Sequence, residues 1–232
     1  MHRFLRTQWL IGQEGLHKLQ AATVAVCGLG GVGGAAVEAL ARSGIGKLVI
    51  IDHDRVDPTN INRQLIAFTS TIGQPKVEVA AARLRDINPE CEVIALQMFY
   101  NKDCSQQLFD HQPDYVVDAI DSVAAKVDLI TECVARNVPI ISSMGAGNKL
   151  DPTKFMVTDI SETHTCPLAK VVRTNLRKLG ITRGVKTVFS TEQPRKIDRG
   201  DTDERAPGSI AFVPPVAGYI IASVVIRDLL AK

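Results

Sequence analysis

No two of the five cysteines stand at CxxC spacing, so the paired thiolates of a structural zinc site have no support here. Their odd number and scattered positions (27, 91, 104, 133 and 166) fit no disulfide framework either, and they read as small buried thiols in a reducing compartment. No internal repeat is present, which excludes a solenoid. The longest apolar stretch, around YIIASVVI, is shorter than a bilayer requires, and no apolar segment near the N-terminus leads into a small-residue cleavage site. The expected setting is therefore cytoplasmic, without a membrane span. Strong charge of either sign is also missing, the formal net charge being +2. What is left is a chain of 232 residues, 45% hydrophobic and 22% charged, with room for one large α/β domain or at most two small ones.

Short Val- and Ile-rich runs alternate with helix-length segments over the first 145 residues. Strands are expected at 23–27, 47–51, 92–97, 115–119 and 138–143, with helices at 31–43, 75–87, 103–111 and 122–136. Continuous apolar strands suit burial on both faces, so the fold class is α/β: a Rossmann-like, mostly parallel sheet with helices on both faces. Beyond Gly147 come a strand at 154–158, a helix at 167–179, a strand at 185–190 and a polar, Pro- and Gly-bearing loop at 192–209. The chain closes with IAFVPPVAGYIIASVVIRDLL, read as a strand, a Pro-Pro turn and an apolar helix. The division is one domain over 1–232. An N-terminal helix (1–22) precedes an α/β core (23–147), and a C-terminal part (148–232) adds antiparallel strands and a flexible loop.

Gly28, Gly30 and Gly33 follow the first strand as GxGxxG, with Gly31 as an extra glycine, and Asp52 closes the second strand. Glycines there let the backbone turn tightly and approach a phosphate, a helix N-terminus adds N–H donors, and an acid at that distance accepts ribose hydroxyls. This motif says nucleotide, not which one, and a dehydrogenase begins the same way. The next segment carries Asn60, Arg63 and Gln64 on a polar loop and Lys76 just inside the following helix. Two cations so close to the sheet's carboxyl edge suit a triphosphate better than a pyrophosphate. Each alone would pass for a solvated loop residue. Asp118 and Asp121 end the fourth strand, where a carboxylate facing a triphosphate is a natural magnesium partner.

GLGGVG, IDHDRVDPTNINRQ and GQPKVEVAAARLRDINP resemble the ubiquitin-activating-like (ThiF-type) superfamily, whose members adenylate a carboxylate with Mg-ATP. The resemblance implies that Asp52 holds the ribose and that Arg63 and Lys76 meet the β- and γ-phosphates. Asp54, Asn60 and Gln64 would complete the nucleotide site and Asp121 would bind Mg²⁺. Arg6 would reach across a homodimer interface to the neighbour's ATP. The usual family pattern after the metal acid is Asn and then an arginine, where this chain has Ser122 and Lys126. PLAKVVRTNLRKLGI, VKTVFSTEQPRK and GSIAFVPPVAGYIIASVVIRDLL are similar to the tRNA threonylcarbamoyladenosine dehydratase branch, which tends to have Ser or Thr and Lys at those places.

The residues are compatible with a tRNA substrate. No acidic residue occurs between His164 and Thr191, while Lys170, Arg173, Arg177, Lys178, Arg183 and Lys186 do. That is an electrostatic footprint for phosphate backbone, although a solvated helix face would look the same. The resemblance thus implies ATP-dependent cyclisation of the modified adenosine beside the anticodon, with a monovalent cation (K⁺ or Na⁺) and a cysteine desulfurase or sulfur-acceptor system as further associates. The alternative is adenylation of a small ubiquitin-like sulfur carrier, weakened by the missing CxxC pairs. In that alternative Cys166, at a helix start that lowers a thiol pKa, would accept the acyl group; otherwise it is a structural thiol. An NAD-dependent oxidoreductase and a non-catalytic RNA-binding scaffold are the remaining readings.

Overall fold

The computed structural model describes residues 3–198 and 206–231. The chain begins with helix α1 (Leu5–Ala21), bent at Gly12, and enters β1 (Thr23–Cys27), α2 (Gly31–Ser43) and β2 (Lys47–Ile51). After a long loop come α3 (Lys76–Ile87), β3 (Glu92–Leu96), the short α4 (Ser105–Phe109), β4 (Tyr115–Asp118), α5 (Val123–Ala135) and β5 (Ile140–Ser143). The remainder forms β6 (Phe155–Asp159), α6 (Pro167–Lys178), β7 (Lys186–Ser190) and α7 (Val213–Ala231). Seven strands make one sheet in the order β3-β2-β1-β4-β5-β7-β6, parallel throughout except for β6, which runs antiparallel to β7.

The period-2 alternation of a strand explains the two cores. In β1, Val24 and Val26 point to the face covered by Leu19, Leu40, Leu84 and Ile221 of α1, α2, α3 and α7. Ala25 and Cys27 point to the other face, against Leu108, Ile130 and Leu176 of α4, α5 and α6. Burial on both faces holds for β1, β2, β4 and β5 but not for β3, where Glu92 and Ala95 are exposed, nor for β6. Those two are the sheet's edges, a position the residue pattern alone did not distinguish.

Two expectations need correction. The closing segment has no strand and no Pro-Pro turn, since Pro214 and Pro215 lie in the first turn of α7, where the missing N–H has no helical partner to lose. That helix has 19 residues, long and apolar enough to cross a membrane by length and composition. Here it is a core helix: a Cβ at Gly218 would lie 2.2 Å from the Val32 carbonyl of α2, so only glycine permits this approach. Of the polar loop expected at 192–209, residues 199–205 lie outside the described residues.

Candidate active site

The sheet changes winding direction between β1 and β4, and a cleft of about 360 Å³ opens at the carboxyl ends of these strands. Ligands of open α/β sheets gather at this switch point. Its floor is the turn from β1 into α2. Gly28 takes φ +88°, and a Cβ there would lie 2.7 Å from the Ala119 carbonyl oxygen. A Cβ at Gly33 would sit 1.8 Å from the Gly28 carbonyl oxygen, so helix and strand close up only on glycine. Gly30 caps α2 and lines the cleft with Gly31. The N–H groups of the helix start, and its dipole, therefore face the cleft.

Asp52, buried at the end of β2, accepts the Leu29 N–H at 2.6 Å on one oxygen and the Asp54 N–H at 2.8 Å on the other. These bonds fix the carboxylate against the glycine turn, and each oxygen keeps a lone pair for a ligand hydroxyl. Phe99 packs edge-on against His53, with ring centroids 5.0 Å apart, and both line the cleft with Asp52.

The loop after β2 is an excursion closed at its base. Arg55 and Pro75 form an antiparallel bridge, and the Lys76 N–H donates to the Asp54 carbonyl at 3.0 Å. This closure brings Lys76, remote in sequence from the glycine turn, to the cleft wall, where its buried ammonium meets the half-exposed Asp54 carboxylate at 2.7 Å. Inside the excursion, Asp57 caps a turn over Pro58–Asn60 and accepts the Thr59 N–H and hydroxyl. Those bonds hold the Asp57 carboxyl below the usual range. Arg63 donates to the Thr59 carbonyl at 2.8 Å and to Asn62 Oδ1 at 2.9 Å, and lines the cleft with the buried Asn60 and Gln64.

Asp121 is exposed and lines the same cleft. The turn that carries it is set from beneath. Asp118 accepts the Ile120 N–H at 3.1 Å with one oxygen, and the other takes the ammonium of Lys126 at 2.7 Å. Lys126, wholly buried, also donates to the Ser143 carbonyl at 2.9 Å and to Ser142 Oγ at 3.3 Å, so each of its three hydrogens has an acceptor. Nothing in the residue pattern had given Lys126 a partner.

The structure therefore brings Gly28, Gly30, Gly31, Asp52, Asp54, Asn60, Arg63, Gln64, Lys76 and Asp121 to one cleft, with Gly33 packed behind it. Arg6 is exposed on α1 and does not line the cleft of its own chain. Cys166 is buried at the start of α6, in the core beneath the sheet, and is not part of the cleft lining. Of the six cationic residues after His164, all but Arg173 are exposed. Arg173 instead bonds the Thr163 carbonyl at 2.7 Å, and Lys186 is ion-paired with Asp228. Met98, Phe99, Tyr100 and Ser209 also line the cleft and were not singled out by sequence; they carry no motif, and only the fold places them there.

The residues at the cleft suit a magnesium-bound triphosphate in their chemistry. Asp52, His53 and Asp54 could each bring one ligand atom within 4.8 Å of the others. With two backbone amides on Asp52 and Lys76 on Asp54, the exposed Asp121 is the more accessible carboxylate.

Sheet order, glycine turn and acid-terminated second strand define a nucleotide-binding α/β protein of the Rossmann type. The chain belongs to the ThiF family, whose model matches residues 4–232. It is 52% identical to a tRNA threonylcarbamoyladenosine dehydratase of Bacillus subtilis over 99% of this chain and 95% of that one. An Escherichia coli protein of the same description is 43% identical over 82% of this chain and 74% of its own. The crystal structure of E. coli tRNA N6-threonylcarbamoyladenosine dehydratase in complex with ATP superposes with a TM-score of 0.92 at 38% identity. It covers 99% of this chain and 94% of that one.

Proposed function

We propose that this protein is an ATP-dependent dehydratase that cyclises N6-threonylcarbamoyladenosine in tRNA by adenylating its carboxylate. The reading rests on the closed loop after β2, which sets Arg63 and Lys76 on the wall of the cleft that already holds the glycine turn and Asp52. The named relatives at 52% and 43% identity support it over the sulfur-carrier alternative.

The adenosine of ATP lies toward Asp52 and Phe99, with the ribose hydroxyls donating to the Asp52 carboxylate. The phosphates run over the N-terminus of α2 toward Arg63 and Lys76, and Asn60 and Gln64 order the loop around them. Lys76 exchanges Asp54 for a phosphate oxygen, an exchange that Asp54's contact with solvent makes inexpensive. Asp121 would hold Mg²⁺, which supplies charge neutralisation on the phosphates. The threonyl carboxylate attacks the α-phosphorus as the bond to the β-phosphate oxygen breaks, and Arg63 and Lys76 stabilise the charge on the leaving pyrophosphate. The substrate's own carbamoyl group then attacks the acyl carbon, closing a ring and expelling AMP. The second step needs positioning more than a protein nucleophile, in keeping with a buried Cys166.

The exposed Lys170, Arg177, Lys178 and Arg183 hold tRNA phosphates, with Arg173 and Lys186 contributing less because each has a partner within the chain. The working state is a cytoplasmic homodimer in which Arg6 reaches the neighbour's ATP, the whole chain acting as one adenylating domain. The test is to incubate the protein with Mg-ATP and modified tRNA, with K⁺ or Na⁺ as the salt, and weigh the nucleosides by mass spectrometry. The expected product is an adenosine derivative lighter by one water. An unchanged nucleoside, together with pyrophosphate exchange dependent on a Gly-Gly-tailed carrier, would establish the alternative.

A further inference from the structure

Four buried side-chain atoms make no hydrogen bond among the described residues: Gln64 Oε1, Asn88 Oδ1, Tyr100 OH and Ser209 Oγ. Three of them belong to residues that line the cleft, all but Asn88. A buried polar atom without a partner costs stability, so a cluster of them at one site calls for a ligand as the missing partner.

Ser209 comes from a part of the chain remote from the nucleotide motifs. It sits on a strap, residues 206–209, that leads into α7 and is tied down at Gly208 and Ser209. Asn148 accepts the Gly208 N–H on its side chain at 2.7 Å and donates its own N–H to the Gly208 carbonyl at 2.8 Å. Asn62 Nδ2 donates to the Ser209 carbonyl at 3.0 Å, while Asn62 Oδ1 accepts from Arg63 at 2.9 Å. Arg63, Asn62 and Ser209 are thus one hydrogen-bonded chain. A Cβ on Gly31 would lie 2.9 Å from Pro214 and 3.2 Å from the Arg63 carbonyl, so the glycine turn, Arg63 and the strap's continuation converge.

We infer that the Ser209 hydroxyl is a nucleotide-binding group that donates to the β- or γ-phosphate of ATP, completing from the C-terminal strap the wall that Arg63 begins. The inference rests on the ATP reading above and adds a residue to it. Its consequence is selectivity for ATP over AMP, since AMP lacks the β- and γ-phosphates that Ser209 would bind.

The test is direct binding of ATP and of AMP, each with Mg²⁺, to the full chain and to Ser209→Ala. Loss of one hydrogen bond to a charged oxygen should weaken ATP binding about tenfold, with AMP affinity unchanged within about twofold. Ser209→Thr, which keeps the hydroxyl, should bind ATP like the parent. Asn62→Ala should lose ATP affinity in the same direction by about threefold, because Ser209 then loses its tie to the loop that carries Arg63. Equal losses for both nucleotides, or no loss for either, would overturn the assignment of Ser209 while leaving the ATP reading intact. A parent protein that binds neither nucleotide would overturn both.

Discussion

Lys126–Asp118 and Lys76–Asp54 are each a lysine and an aspartate 2.7 Å apart, yet the first pair is wholly buried while Asp54 is 48% exposed. The buried pair has every donor matched and touches no ligand surface, and it shapes the turn that presents Asp121. The cleft pair has one partner that water can solvate, so its lysine is available for exchange. Equal distances thus go with different settings, a closed network beneath the wall and a partly solvated pair on it. The surface pair Lys186–Asp228, 49% and 29% exposed, extends the series to solvent.

The comparison breaks first at the buried pair. Lys126→Met leaves a carboxylate in the core without its ammonium and should cost about 3–5 kcal/mol of stability, read from urea unfolding. An effect below about 1 kcal/mol would mean that burial does not separate the pairs. Lys76→Met should behave in the reverse way. Asp54 then turns to water, the unfolding midpoint hardly moves, and turnover of Mg-ATP with modified tRNA falls about 10²–10³-fold through lost stabilisation of the leaving pyrophosphate. Asp54→Asn sharpens the exchange idea: it should change stability by less than about 1 kcal/mol and leave ATP binding as tight as in the parent or tighter. Markedly weaker ATP binding would give Asp54 a direct hold on the nucleotide instead.

The smallest effect belongs to the surface pair. Burial raises the Asp228 carboxyl's pKa, but hydrogen bonds from Lys186 and Tyr115 outweigh this and hold it below the ordinary carboxylate value. A depressed folded-state pKa adds stability above the unfolded value of about 3.9, and that stability is lost as pH falls through the folded one. Asp228→Asn should therefore be less stable than the parent near neutrality by no more than about 1 kcal/mol and converge with it in acid, as thermal unfolding across pH would record.

Much of this arrangement was legible in the sequence. The Val- and Ile-rich runs marked the strands within a residue or two, because parallel strands buried on both faces have little freedom of composition. Gly28, Gly33 and Asp52 were readable because backbone geometry at so tight a strand-to-helix turn admits few alternatives. Lys126 was not, since its acceptors come from two separate strands, β4 and β5, and no spacing rule links them. The prolines of α7 misled because the same residues break a helix interior and suit its first turn. Ser209 sits in a polar stretch with no periodicity, and only the folded chain carries it to the cleft.

The central claim is that a substrate carboxylate attacks the α-phosphorus of ATP in this cleft. Modified tRNA whose threonyl carboxylate carries ¹⁸O tests it in one measurement, the mass of the AMP released. Adenylation transfers one carboxylate oxygen to the phosphorus, so the account predicts AMP heavier by a single ¹⁸O. Cyclised nucleoside formed with unlabelled AMP would contradict it.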